Sequence, residues 1–201
     1  NPDIRSGAIR NLGLYNSRKT KKLLVSLLKV KSFQNQVTQA AVSAIRTMDD
    51  PYFVSALRKA ISERGAEFTT SGLSSALDTL AHISRNEEDR TAIREFITGY
   101  VNSENRRIRA GAIGALGTLG DPKAIPVVQA FDGDKSYDRV QRSAKSALRK
   151  LREQKQLVPR EIVELRELVD ELKKDNEELR EQFDELNDRL DAREEASGED
   201  K

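Results

Sequence analysis

Ile108-Arg109-Ala110-Gly111-Ala112-Ile113-Gly114-Ala115-Leu116-Gly117-Thr118-Leu119-Gly120-Asp121-Pro122-Lys123-Ala124-Ile125-Pro126 decides the fold. Ile108, Ala112, Leu116 and Leu119 stand at offsets −4, 0, +4 and +7, the spacing of one helical stripe. Gly120 suits the end of that helix, Asp121 the N-cap of the next, and Pro122 its first turn. Ile125, Val128 and Phe131 then begin a second apolar-periodic segment. The stretch reads as helix, tight turn, helix.

The same frame recurs through the first three quarters of the chain. Ala8, Ala41, Ala76, Ala112 and Ala144 follow one another at spacings of 33, 35, 36 and 32 residues. Four positions before them stand Ile4, Val37, Gly72, Ile108 and Val140; four after stand Leu12, Ile45, Leu80, Leu116 and Leu148. Seven after stand Tyr15, Met48, Ile83, Leu119 and Leu151. The small residue at the centre lets a neighbouring helix approach closely. Second segments carry Leu23, Leu24, Leu27 and Leu28, then Phe53, Val54 and Leu57, then Ile93, Phe96, Ile97 and Tyr100. Asp50-Pro51 repeats the turn, whereas the third unit has Arg85-Asn86 in its place. Four helix pairs and a fifth half-unit predict an all-α solenoid over residues 1–152.

The stretch 108–126 resembles a HEAT repeat of the short bacterial and phycobilisome-lyase type, and the other units resemble degenerate copies of it. Arg94-Glu95-Phe96 through Tyr100-Val101-Asn102, then Arg106-Arg107-Ile108-Arg109, are also similar to C-terminal HEAT segments of bacterial aminopeptidase N-like zinc metallopeptidases. That resemblance implies an accessory region that shapes substrate access or oligomerises a parent enzyme. Its zinc would be bound by an upstream HExxH helix. No ligand carries over, because His82 is the only histidine here. The expected cofactor content of this chain is none.

From Ile162 the apolar residues alternate by three and four. Positions a are Ile162, Val169, Asn176, Phe183 and Leu190, and positions d are Leu165, Leu172, Leu179 and Leu186. Such a seam, about 44 Å long at the helical rise, predicts a coiled coil over 161–193. A lone Asn at an a position fixes register in parallel pairs. In a parallel pair Glu161–Arg166, Asp175–Arg180 and Arg189–Glu194 attract, whereas antiparallel packing opposes Arg166, Lys173 and Arg180. A parallel homodimer is expected; folding back on the solenoid is the alternative. Residues 153–160, with Pro159, read as a hinge, and 194–201 as a disordered acidic tail.

Charge and composition bound the function. The formal net charge of +2 hides 26 basic against 15 acidic residues in 1–152, and 9 against 18 in 153–201. With no cysteine there is no disulfide, thiolate metal site or Cys nucleophile. A single histidine excludes two-His zinc motifs. Asp49-Asp50 and Asp132 with Asp134 sit at expected turns, where capping explains them better than acid–base chemistry. Gly111, Gly114, Gly117 and Gly120 lack the Lys-Ser or Lys-Thr of a phosphate loop and read as close helix packing. No enzyme is visible in this chain.

Arg106, Arg107, Arg109, Arg139, Arg142, Lys145 and Arg149 form a candidate basic interaction surface. It suits a protein partner or an upstream domain; nucleic acid is the rival reading. Lys145 replaces Ile9, Val42, Leu77 and Ile113 of the earlier units, which reads as a C-terminal cap. The first unit makes no such concession, which suggests a piece of a longer polypeptide. No stretch is apolar enough to span a membrane and no signal-peptide layout is present, so a cytoplasmic protein is expected. The function expected is a non-catalytic interaction and oligomerisation module, in a peptidase or as a free-standing scaffold.

Overall fold

The computed structural model describes residues 2–32, 35–133, 138–154, 168–180 and 182–183. The chain divides into two compact units, Asn1–Gln156 and Leu157–Lys201. In the first unit, helices α1 (Pro2–Asn11), α3 (Gln36–Met48), α5 (Thr70–Ile83), α7 (Arg106–Leu119) and α9 (Asp138–Gln154) carry the five alanine stripes. Between them run α2 (Arg18–Leu27), α4 (Val54–Arg64), α6 (Thr91–Thr98) and α8 (Ile125–Gln129). No strand occurs among the described residues. Each stripe helix packs on the next, and each intervening helix packs on the stripe helix that follows it. This is a helical repeat solenoid with one continuous core.

The turns form as their residues dictate. The Asp50 carboxylate accepts the Tyr52 N–H at 2.8 Å, and the Asp121 carboxylate accepts the Lys123 N–H at 3.0 Å. Both cap short 3-10 turns that open on proline, whose missing N–H costs nothing there. Gly120 closes α7 at φ 70°, a left-handed conformation that favours glycine. The intervening helices are shorter than the sequence pattern predicts. α6 ends at Thr98, so Tyr100 lies in the following turn with its ring 5.6 Å from Phe96. α8 has five residues, and Phe131 falls beyond it.

Packing separates the four glycines of α7 and its cap. A Cβ at Gly111 would stand 2.6 Å from the Ser74 Cβ, and one at Gly117 would stand 2.7 Å from the Ala147 Cα. Those two sites let α7 approach α5 on one side and α9 on the other. Gly114 faces open space, so close packing, expected of every glycine here, does not explain it.

In the second unit, residues 168–180 are helical. Val169, Leu172, Leu179 and Phe183 are exposed, as is Asn176. Ion pairs Asp170–Lys173 and Lys174–Glu178 lie along this helix at 3.7 and 4.0 Å. Ile162, Leu165, Leu186 and Leu190 lie outside the described residues, as do Asp134, residues 155–160 and the 194–201 tail.

Candidate interaction surface

The central alanines are buried in every repeat except the first, and the stripe positions around them in the later repeats are buried or, at Met48 and Ile108, half-buried. Ala41, Ala76, Ala112 and Ala144 have no exposed surface, and Val37 is 5% exposed. The first unit differs: on α1 Ile4 is 73% exposed and Ala8 is exposed, while Tyr15, expected on the same helical stripe, lies beyond α1 on extended backbone after the 3-10 turn Leu12–Leu14 and is 65% exposed. The sequence frame treats all five units alike, but the environment does not. α3 is covered by α1 and α2, whereas no described helix precedes α1. The opposite side of α1 is used normally, with Ser6 and Ile9 buried, as is Gly13 in the 3-10 turn that follows. A Cβ on Gly13 would lie 2.5 Å from the Ala44 carbonyl oxygen, the same offset in the frame that brings Gly117 against Ala147. Leu23 on α2, expected in the core, is also exposed.

At the other end the sequence is adapted to water. Arg142, Lys145, Arg149 and Arg152 are exposed on α9, while Val140, Ala144, Ala147, Leu148 and Leu151 are buried. Lys145, Arg149 and Arg152 line a shallow groove with Asp132, Leu148 and Glu153. Arg149 also lies 4.0 Å from Glu153. Arg106, Arg107 and Arg139 are exposed at the starts of α7 and α9. Arg109 is different. It is half-buried, and its Nε and Nη2 donate to the Ser103 carbonyl at 3.2 and 3.0 Å, tying α7 to the preceding turn. The seven basic residues are therefore not one uniform surface.

The acidic groups at the turns are engaged by neighbouring repeats. Arg85 donates to both oxygens of Asp49 at 2.6 Å, and His82 Nε2 lies 3.3 Å from the same carboxylate. Arg85 thus reaches back one repeat from the position where an Asp-Pro turn is missing. Lys21 pairs with Asp50 at 2.8 Å. Arg46 pairs with Asp78 at 2.7 Å, and Thr118 donates to that carboxylate from the next repeat at 2.7 Å. Arg94 pairs with Asp121. Arg64 joins repeats along another line, donating to the carbonyls of Leu28 and Val30 at 2.6 and 3.3 Å and to Asn35 at 3.1 Å.

These contacts set the titration of the turn. Burial alone would raise the Asp49 pKa, but the hydrogen bonds and charge of Arg85, with His82 and Arg46, outweigh it and hold the carboxyl below its ordinary value. Burial and the Arg85 charge lower the His82 pKa against the opposing pull of Asp49. The arrangement binds helices to each other. Among the described residues no three His, Cys, Asp or Glu side chains stand close enough to hold a metal ion. No helix among them is long and apolar enough to cross a membrane.

Residues 73–149 match the family described as HEAT repeats. A search of curated proteins finds no match. Among solved structures the chain is similar to an engineered protein, at 17% identity and a TM-score of 0.52, over 76% of this chain and 70% of that one. A designed armadillo repeat protein also aligns, at 12% identity and a TM-score of 0.32, over 73% of this chain and 92% of that one. The family match supports the repeat assignment made from the alanine frame. The similarity to the engineered protein supports the fold alone. Nothing in these comparisons links the chain to an aminopeptidase.

Proposed function

We propose that the chain is a non-catalytic interaction scaffold, in which the solenoid offers a partner-binding surface and the C-terminal helix pairs two copies in parallel. The observation that carries the pairing is the row of apolar side chains exposed along one helix. Leu172 is 60% exposed, Leu179 62% and Phe183 65%, all in heptad register. Burying such side chains stabilises by about 1.5–3 kcal/mol each, and a second identical seam is the surface that matches them in spacing. Asn176 at an a position favours the parallel register. Pairing would double the number of solenoid surfaces offered to a partner, so that modest single-site affinities combine.

The absence of cysteine from the sequence makes the test direct. Val169→Cys places two thiols face to face when the helices are parallel and in register, whereas antiparallel overlap of the 162–190 seam holds them about 21 Å apart. Oxidation should then give a covalent dimer on a non-reducing gel. A chain that remains monomeric under oxidation, at concentrations where light scattering shows association, contradicts the parallel arrangement. A zinc peptidase parent remains a narrower form of the same scaffold reading, drawn from the sequence resemblance alone. Finding no HExxH segment upstream in the parent reading frame removes it.

A further inference from the structure

Inside the array, between the second and third repeats, the solenoid holds an open groove of about 430 Å³. It is lined by the last turn of α4, the 3-10 turn Gly65–Glu67, the start of α5, the turn that follows α6 and the start of α7. α4 packs on α5, and α6 on α5 and α7, rather than closely on each other, so space remains between their C-terminal ends. The lining is apolar at depth and polar at the rim. Ile61, Phe68 and Leu73 are buried, whereas Ser62 and Glu63 are exposed. Ile108 is half-buried, although its frame counterparts Val37, Gly72 and Val140 are buried. α7 has α5 on one side and α9 on the other, so Ile108 opens to the groove within the array and not at an end of it.

Two polar groups narrow the chemistry. Tyr100 is half-buried, and a Cβ on Gly65 would lie 3.9 Å from its hydroxyl. Burial raises the Tyr100 pKa, so the hydroxyl stays protonated and able to donate. Glu63 is the one charged side chain among the lining residues, in a region where basic residues outnumber acidic by 26 to 15. Its pair with Lys59 is long, at 3.7 Å, and both groups are exposed, so the carboxylate is only weakly held. The adjacent Arg64 is already engaged by Glu67 and by the carbonyls of Leu28 and Val30.

We infer that this groove is a docking site for a basic–apolar segment of a partner protein. An aromatic or large aliphatic side chain enters over Ile61, Phe68, Leu73 and Ile108. A neighbouring Arg or Lys pairs with Glu63, and the Tyr100 hydroxyl donates to a backbone carbonyl of the segment. Sites for small molecules enclose most of their ligand. A groove rimmed by exposed Ser62, Glu63 and Ala66 instead takes side chains delivered by a backbone that stays outside. An acidic segment meets no cation in the lining and is repelled by Glu63. The inference rests on the scaffold reading of the solenoid and is independent of pairing through the C-terminal helix.

The probe is the capped dipeptide N-acetyl-phenylalanyl-arginine amide. It is titrated into the full chain labelled at isoleucine Cδ1 methyl groups and followed by methyl NMR. Ile61 and Ile108 should shift together and saturate in the millimolar range, while Ile9 and Ile83, outside the groove, stay in place. The dipeptide with glutamate in place of arginine should bind at least tenfold more weakly. Glu63→Lys, at an exposed position, should reverse that preference, with unmoved Ile9 and Ile83 signals reporting an intact fold. Tyr100→Phe should weaken the arginine dipeptide about two- to tenfold. Absence of saturable shifts at Ile61 and Ile108, equal affinity of the two dipeptides, or a preference unaltered by Glu63→Lys overturns the inference. An affinity unchanged in Tyr100→Phe overturns it as well. Each of these results leaves the scaffold reading standing, since a partner would then dock elsewhere on the solenoid. Movement of Ile61 and Ile108 on diluting the chain without dipeptide assigns the groove to a second copy and equally overturns the inference.

Discussion

Gly114 and Gly117 lie one helical turn apart in α7, and their alanine variants should change stability in opposite directions. At Gly117 a new Cβ would meet the Ala147 Cα at 2.7 Å and the Ala147 Cβ at 2.8 Å. Carbon contacts are comfortable near 3.5–4 Å, so α7 and α9 must separate by about 1 Å. The first atom met is backbone, and no rotamer change relieves it. Overpacking of this kind costs about 1–3 kcal/mol, and alanine's higher helix propensity returns just under 1 kcal/mol. The net loss expected for Gly117→Ala is about 1 kcal/mol or slightly more. At Gly114 the Cβ meets nothing within 4 Å, so only the propensity gain of about 0.5–1 kcal/mol remains. Urea denaturation of the full chain, followed by circular dichroism at 222 nm, measures both. A destabilised Gly114→Ala, or a Gly117→Ala as stable as the parent chain, would refute the packing of α7 against α9 described above.

Other perturbations probe the inter-repeat contacts and the helix seam. Arg85→Ala removes the paired hydrogen bonds to Asp49; because both groups are partly exposed, the expected cost is about 1 kcal/mol by thermal or urea unfolding. Stability should fall as the solution is acidified. The stabilisation linked to the depressed Asp49 pKa is fully present above the ordinary carboxyl value and is lost as pH falls from that value through the lower folded one. The depressed His82 pKa acts in the same sense from about pH 6.5 downward, and His82→Asn should flatten that part of the profile. Leu172→Lys with Leu179→Lys should abolish self-association while leaving solenoid unfolding unchanged. The full chain should show no salt-dependent affinity for DNA or RNA; a steep salt dependence that is lost in Arg142→Glu with Lys145→Glu would favour the nucleic-acid reading.

Much of the solenoid was legible because its packing repeats. Ala41, Ala76, Ala112 and Ala144 are buried for one geometric reason, and the frame that singles them out is visible in the spacing. Contacts between repeats were less legible. Asp49 and Arg85 are 36 positions apart, and nothing local in either indicates the other. The same limit applies to Gly114 and Gly117, which look alike in sequence but differ in what the adjacent helix brings near them. The ends of the array show it most clearly. Lys145 advertises its exposure by its charge, whereas Ile4 and Ala8 carry the same residue types as their buried counterparts. No described helix lies before α1 as α1 and α2 lie against α3. Arg109 is a member of the candidate basic surface but shares its frame position with Arg5, which favours a role within the repeat. Its partner, the Ser103 carbonyl, depends on the turn before α7 and is not legible in the spacing.

The central claim, that this is a scaffold paired through its C-terminal helix, is tested most directly by multi-angle light scattering on the full chain at micromolar concentration. The account predicts twice the chain mass of 22.6 kDa, reduced to a single chain mass by Leu172→Lys with Leu179→Lys. A mass of one chain for the parent protein, unchanged by those substitutions, would contradict it.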